Sequence, residues 1–273
     1  MDFSLNISSL PRWAVMWGLG AGVFFFCKIL TWLVRPAGRA SAWRHVCYLL
    51  FWPGMDAGAF LYLNPAAAEI PSGREWILAA LKTLLGVALF WLVSRAVPQD
   101  QDLLRGWCGM IGLIFMLHFG SFHLLSCAFR AAGINARPLM RAPLCAVSLS
   151  EFWGRRWNTA FRDLTHRFLF RPLTARIGSR WALFVGFAFS GIVHDAVISI
   201  PAGGGYGGPT FFFLLQSAGL FFERSRTGRG LGLSEGVRGS VFTILVLALP
   251  LYGLFHPPFV RAVIVPFMKA AGA

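Results

Sequence analysis

Acidic residues are scarce in this sequence: 11 Asp and Glu stand against 25 Lys and Arg, and charged residues of both signs make up only 13% of 273 positions. Ordinary soluble domains carry about twice that share, so a conventional water-soluble fold is excluded. The five cysteines, Cys27, Cys47, Cys108, Cys127 and Cys145, are odd in number and lack C-x-x-C spacing. A disulfide framework or zinc ribbon is therefore not indicated, and they read as small core residues. No catalytic G-x-S-x-G and no H-E-x-x-H or Walker pattern is read in the sequence; Gly232-Leu-Ser-Glu-Gly236 matches the first by spacing alone. The run Gly203-Gly-Gly-Tyr-Gly-Gly208 formally contains G-x-G-x-x-G, but no strand precedes it, so it reads as a flexible turn. The N-terminus lacks a basic n-region and a small-residue cleavage site, so its first apolar run reads as a retained span.

What the sequence does have is hydrocarbon. Hydrophobic residues make up 56% of the chain and the mean hydropathy is +0.62, enough for six to eight spans of about 20 residues. The expected fold class is an all-α polytopic membrane bundle in one domain, 1–273. Six firm spans are expected at 13–34, 76–97, 107–129, 181–200, 210–222 and 240–255. The apolar stretch 45–63 is interrupted by Trp52-Pro-Gly-Met-Asp56, and the tail after Pro257-Pro258 is too broken to span.

The formal charge of +14 reports topology before it reports a partner, because the arginines lie between apolar spans; nucleic acid is not expected. If 45–63 crossed, the most basic loop, 130–180, would face away from the other basic loops, against the positive-inside tendency. An interfacial or re-entrant 45–63 instead puts 35–75, 130–180 and 224–238 in the cytoplasm. Asp100, Asp102 and the uncharged 203–208 loop then face outside.

Ser148 and Glu151 have capping-box spacing, so a helix is expected to start near Leu149. Trp153, Trp157, Ala160, Phe161, Leu164 and Phe168 then recur as one apolar stripe, with Arg155, Asn158, Arg162 and His166 on the other side. This describes a basic amphipathic helix at a membrane surface, within 130–180. It serves either as a lipid-facing anchor with Asn158 exposed, or to set Asn158 and the arginines against a phosphate-bearing substrate.

His194 lies too deep in its span to reach the interface, and Asp195 follows it. The Ser190 hydroxyl, four residues earlier, is placed to hold one imidazole nitrogen. A hydrogen-bonded core histidine and a general base toward an alcohol are both open readings. Gln216 either faces the same interior or bonds between helices. His118 and His123, five residues apart, do not share an α-helical face, and no metal site is expected there.

The run Phe152-Trp-Gly-Arg-Arg-Trp-Asn158 resembles the F-Y-x-x-W-W-N signature of membrane-bound O-acyltransferases, and Ser190-Gly-Ile-Val-His-Asp195 resembles their S-x-x-x-H-E. Ser148 to Asn158 and the Trp52 to Asp56 run are similar to the wax-synthase-like branch. The resemblance implies transfer of a fatty acyl group from acyl-CoA to a hydroxyl, with a long-chain alcohol as the leading acceptor. Sterol, glyceride or exported sugar are the alternatives, and an intramembrane His194–Asp195 proton or solute pathway is the non-enzymatic rival.

By motif position His194 matches the catalytic histidine and Asn158 the second signature residue, with Asp195, Ser190 and Gln216 supporting. Trp153, Arg155, Arg156, Trp157 and Arg162 fall on the donor side. The implied partners are acyl-CoA as co-substrate, a hydroxyl-bearing lipid and the bilayer, with no cofactor or metal. A bacterial inner membrane is expected over the endoplasmic reticulum. Asp195 replaces the usual Glu, and the chain is short for the family.

Overall fold

The computed structural model describes residues 10–36, 38–62 and 68–273, and no strand occurs among them. Among the described residues five helical runs are long and apolar enough to cross a membrane: α1 (Arg12–Leu33), α2 (Gly73–Ala96), α3 (Asp102–Ala131), the run Thr159–Ala202 and, after the shorter α5 (Gly208–Glu223), α6 (Gly236–Leu254). This is an integral membrane protein. Within the fourth run, α4 (Arg171–Ala202) is interrupted at Gly178, whose φ of 78° and ψ of 160° leave the helix; only glycine adopts that geometry readily. The expected span at 210–222 is α5 (Gly208–Glu223), at 16 residues shorter than the other five runs. Its Phe212, Gln216, Ser217 and Leu220 are buried, so one face of α5 packs into the interior, while Phe211 and Phe222 are exposed.

Side-chain bonds sort the helix termini into two ends. At one end Arg12 donates to the Ala202 carbonyl at 2.7 Å, Arg105 to Ala273 and Trp91 to Ala271, both at 3.0 Å. At the other end Arg167 donates to Val34 at 2.6 Å, Arg130 to the Glu69 carbonyl at 3.1 Å, and Ser240 to Ala146 at 3.1 Å. The described parts of the 34–72 connection and the 132–170 and 224–235 connections therefore share one end, as the arginine distribution anticipates.

The 45–63 stretch is broken as expected. A helix, Ala42–Val46, runs into a π-helical turn, Cys47–Phe51, stops at Trp52, and restarts as Ala57–Leu61 with Asp56 as N-cap, accepting from Ala59 N–H at 2.9 Å. The break also serves a buried lysine. Lys28 of α1 is fully buried, donates to the Gly54 carbonyl at 2.5 Å, and sits 3.4 Å over the Tyr48 ring. A polar group without water needs such partners. Residue 63, the end of the stretch, falls with 64–67 outside the described residues.

The tail, expected to be broken, is helical from Pro257 to Ala270 through a π-helical turn, Val260–Ile264. Val260, Val263, Ile264 and Met268 are buried in a core with Met16, Phe90, Met110 and Phe213. A second core gathers Trp52, Phe60, Ile134, Leu139 and Leu164. The Gly203–Gly208 turn is not loose. Asp195 accepts from Gly207 N–H at 3.0 Å and Thr210 N–H at 3.1 Å, and Ser199 Oγ lies 3.2 Å from His256 Nε2. The cysteines are all free; Cys127 is buried, but Cys145 is exposed rather than a core residue.

Candidate active site

The expected continuous amphipathic helix from Leu149 to Phe168 does not form. Ser148 caps Leu149–Glu151, its Oγ accepting from Glu151 N–H at 3.0 Å. A π-helical turn, Phe152–Arg156, follows, Trp157 is extended, and Asn158 takes the left-handed region at φ 38° and ψ 63° before a new helix, Thr159–Thr165. A non-glycine residue there costs about 1–2 kcal/mol, and Asn is among the few that tolerate it. Tertiary bonds offset the cost. Asn158 N–H lies 3.2 Å from Met140 Sδ, Thr159 N–H donates to the Leu139 carbonyl at 3.0 Å, and Arg141 N–H to the Arg156 carbonyl at 2.8 Å. Asn158 Oδ1 caps the new helix through Phe161 N–H at 3.2 Å. With Oδ1 committed, Nδ2 remains as the free donor.

The start of the segment is tied to α5. Glu223, 1% exposed, accepts from Leu149 N–H at 2.6 Å and Ser150 N–H at 3.2 Å. Motif and period do not single it out, although a carboxylate at a helix C-terminus runs against the helix dipole and signals a partner elsewhere. Glu151 is held below the usual carboxylate range by the Val147 N–H and by Arg156, 2.8 Å away.

Ala182, Gly186, Ser190 and His194 recur every fourth residue on α4 and present one face to a cavity of about 570 Å³. Across it stand Trp153, Trp157, Asn158 and Arg162, with Phe213 of α5 packed on the His194 ring at 4.5 Å. His194 Nδ1 lies 2.7 Å from the Ser190 backbone carbonyl, not the hydroxyl that the sequence suggests. A carbonyl only accepts, so Nδ1 carries the proton, and Nε2 of the neutral ring is left as a base. A Cβ added at Gly186 would meet no atom within 4 Å, as open cavity requires. Arg162, His166 and Arg224 line the same cavity, and none of its lining residues is acidic. A second cavity of about 460 Å³ shares Phe170, Leu183 and Arg224 and adds Arg180, Ser179 and Ser225.

Four of the residues singled out from sequence lie elsewhere. Asp195 turns away from His194 and bonds Ser199, Gly207 and Thr210, so the two adjacent side chains form no relay. Gln216 bonds the Val246 carbonyl of α6 at 2.9 Å, which is the interhelical role. Arg156 pairs with Glu151 and bonds the carbonyls of Arg141 and Ala142, while Arg155 is exposed. Phe213, Phe187 and Arg224 join the site without a sequence signal of their own. The first two are apolar residues among many in their spans, and only packing distinguishes them.

His118 and His123, expected on different faces, line one cavity. The turn Ile114–Ser121 is π-helical, and i→i+5 bonding brings residues five apart close to one face. Glu75, His123 and Cys127 have donor atoms within 4.8 Å of one another, but Arg130 already supplies their cation. It pairs with Glu75, donates to Ser126 Oγ at 3.2 Å and approaches Cys127 Sγ at 3.6 Å.

Residues 136–215, which hold both halves of this site, match the sequence profile of the membrane bound O-acyl transferase family. Over this segment the chain is similar to membrane-bound O-acyltransferases and to long-chain-alcohol O-fatty-acyltransferases. A long-chain-alcohol O-fatty-acyltransferase of Simmondsia chinensis is 35% identical over 72 residues, 23% of this chain and 20% of that protein. Probable long-chain-alcohol O-fatty-acyltransferase 9 of Arabidopsis thaliana is 33% identical over 75 residues, 24% and 22% of the two chains. Probable long-chain-alcohol O-fatty-acyltransferase 7 of the same plant is 28% identical over 145 residues, 47% and 42%. The matched part thus spans about a fifth of the length of the first of these relatives.

Proposed function

We propose that the chain is a membrane O-acyltransferase that moves a fatty acyl group from acyl-CoA to the hydroxyl of a long-chain alcohol. The observation that carries this reading is the His194 imidazole, fixed through Nδ1 with Nε2 free, in the same cavity as the free Asn158 amide donor. The printed names of the relatives support the alcohol as acceptor.

In this mechanism Nε2 of His194 takes the proton of the acceptor hydroxyl as its oxygen attacks the thioester carbonyl. Asn158 Nδ2 donates to the oxyanion of the tetrahedral intermediate, a role worth about 10²–10³ in rate where such donors have been removed. Collapse breaks the carbon–sulfur bond, and the departing thiolate recovers the proton from the imidazolium, giving ester and free CoA. Arg180 and Arg224, together with Arg162, which pairs with Asp163 and donates to the Gly154 carbonyl, supply the charge for the phosphates of CoA, at the membrane end where acyl-CoA arrives from the cytoplasm.

The test is a product screen. Purified protein with labelled acyl-CoA is offered fatty alcohols, sterols, diacylglycerols and sugars. Ester is expected with the alcohols. No ester with any hydroxyl acceptor defeats the reading, and preference for another acceptor moves it within the class.

A further inference from the structure

A smaller cavity, away from His194, combines charge and apolar walls with no ligand role yet assigned. Lys82 is the tenth residue of α2, ~14 Å along the helix from Gly73 at 1.5 Å per residue. An ammonium at that depth is costly and marks a site unless it is paired. Among the described residues Lys82 forms no ion pair. It lines a cavity of about 250 Å³ with His118 and His123. His118 Nδ1 is buried without a partner. His123 Nε2 is committed to Glu75, which Arg130 also holds, so that carboxylate is already shared.

No lining residue is acidic, and Phe115, Phe119, Leu139 and Leu144 supply apolar surface. An ammonium and a free imidazole inside apolar walls match an anion that carries hydrocarbon. The volume equals about eight waters at ~30 Å³ each, room for a carboxylate and its first carbons but not for a glycerophosphate with two chains. Leu81, Leu84 and Leu85 beside Lys82 are 55%, 62% and 45% exposed, and Leu144 at the rim is 84% exposed, an apolar path toward the bilayer for the rest of the chain.

We propose that this lateral cavity binds the carboxylate end of a long-chain fatty acid entering from the bilayer, held by Lys82 and His118. Its wall at Leu139 and Met140 is the segment whose other bonds hold Thr159 and Asn158, so an occupant rests against the support of the central site. Binding does not depend on the acyl-transfer reading, and the two fail separately.

The test uses the full chain in nanodiscs of phosphatidylcholine with a photoreactive diazirine derivative of a sixteen-carbon fatty acid, read by peptide mass spectrometry. Labelling is expected in 115–123 and 138–145, with competition by palmitate but not by hexadecanol or phosphatidylglycerol. Lys82→Met should lower labelling about tenfold, the scale of one charge-assisted bond, and Lys82→Arg should retain most of it. Equal competition by hexadecanol or phosphatidylglycerol overturns the proposal, as does unchanged labelling of a cooperatively folded Lys82→Met. Should Lys82→Met not fold, the competition series on the unmodified protein and His118→Phe decide in its place.

Discussion

Between Ser190 and His194 the chain is uninterrupted α-helix, whereas between Leu149 and Asn158 it passes through an α-helical turn, a π-helical turn, an extended residue and a left-handed one. The first region places its side chain by helical period alone. The second places Asn158 only because Glu223, Arg141, Leu139 and Met140 hold the backbone there. A substitution in the first region therefore reaches the chemistry with little effect on the fold, while one in the second reaches both.

The largest effect is expected from His194→Ala, a loss of turnover of about 10²–10⁴ with a thermal unfolding midpoint within a few degrees of the parent protein. Residual activity within tenfold would remove His194 from the chemistry.

Asn158 separates chemistry from backbone. Asn158→Gly accepts the left-handed geometry and keeps most of the cap, whereas Asn158→Ala loses about 1–2 kcal/mol from φ and ~1 kcal/mol from the cap. Both variants should lose about 10²-fold in kcat, but only Ala should unfold markedly earlier. Full turnover by the Gly variant would exclude the amide as an oxyanion donor.

Gly186→Leu projects a side chain into the cavity and removes an unfavourable helical glycine worth about 1 kcal/mol. It should cut ester formation tenfold or more while the protein melts no earlier. Undiminished activity would place the substrate path elsewhere.

Asp195→Asn weakens the bonds to Ser199, Gly207 and Thr210. It should cost about 1–3 kcal/mol of stability and leave turnover per folded molecule within a few-fold. The opposite pattern, lost turnover at unchanged melting, would restore the His194–Asp195 relay.

The smallest effect belongs to Glu151, whose carboxyl is held low by the Val147 N–H and Arg156. Its folded value lies below its unfolded one, so its contribution is present above about pH 4.3 and fades as pH falls through the lowered folded value. The melting difference between the parent protein and Glu151→Gln should shrink across that window, modestly, because the group faces solvent. A difference that grows on acidification would contradict the assignment.

The same contrast decides what the sequence reveals. The long spans are legible because run length and hydropathy need no tertiary information, and the break at Pro53 because proline and glycine act locally. His194 stands out as an imidazole at depth. The course of the chain at Asn158 is not legible, since its left-handed turn depends on bonds to residues 139–141 that a helical period ignores. A period of 3.6 residues per turn puts His118 and His123 on separate faces, but the helix widens there. For Gln216 two roles differ only in its neighbour, Val246 of α6, which sequence does not supply. Lys28 is visible as an ionisable residue inside a span, but its partners, Gly54 and Tyr48, come from a segment whose path the sequence leaves open.

The most direct test of the central claim is ester formation by purified protein from labelled acyl-CoA and hexadecanol, with His194→Ala assayed beside it at matched folded concentration. The account predicts labelled wax ester from the parent protein and about a hundredth of it or less from the variant. Equal ester from both, or none from a parent protein that gives the same null result with every other hydroxyl acceptor, would contradict it.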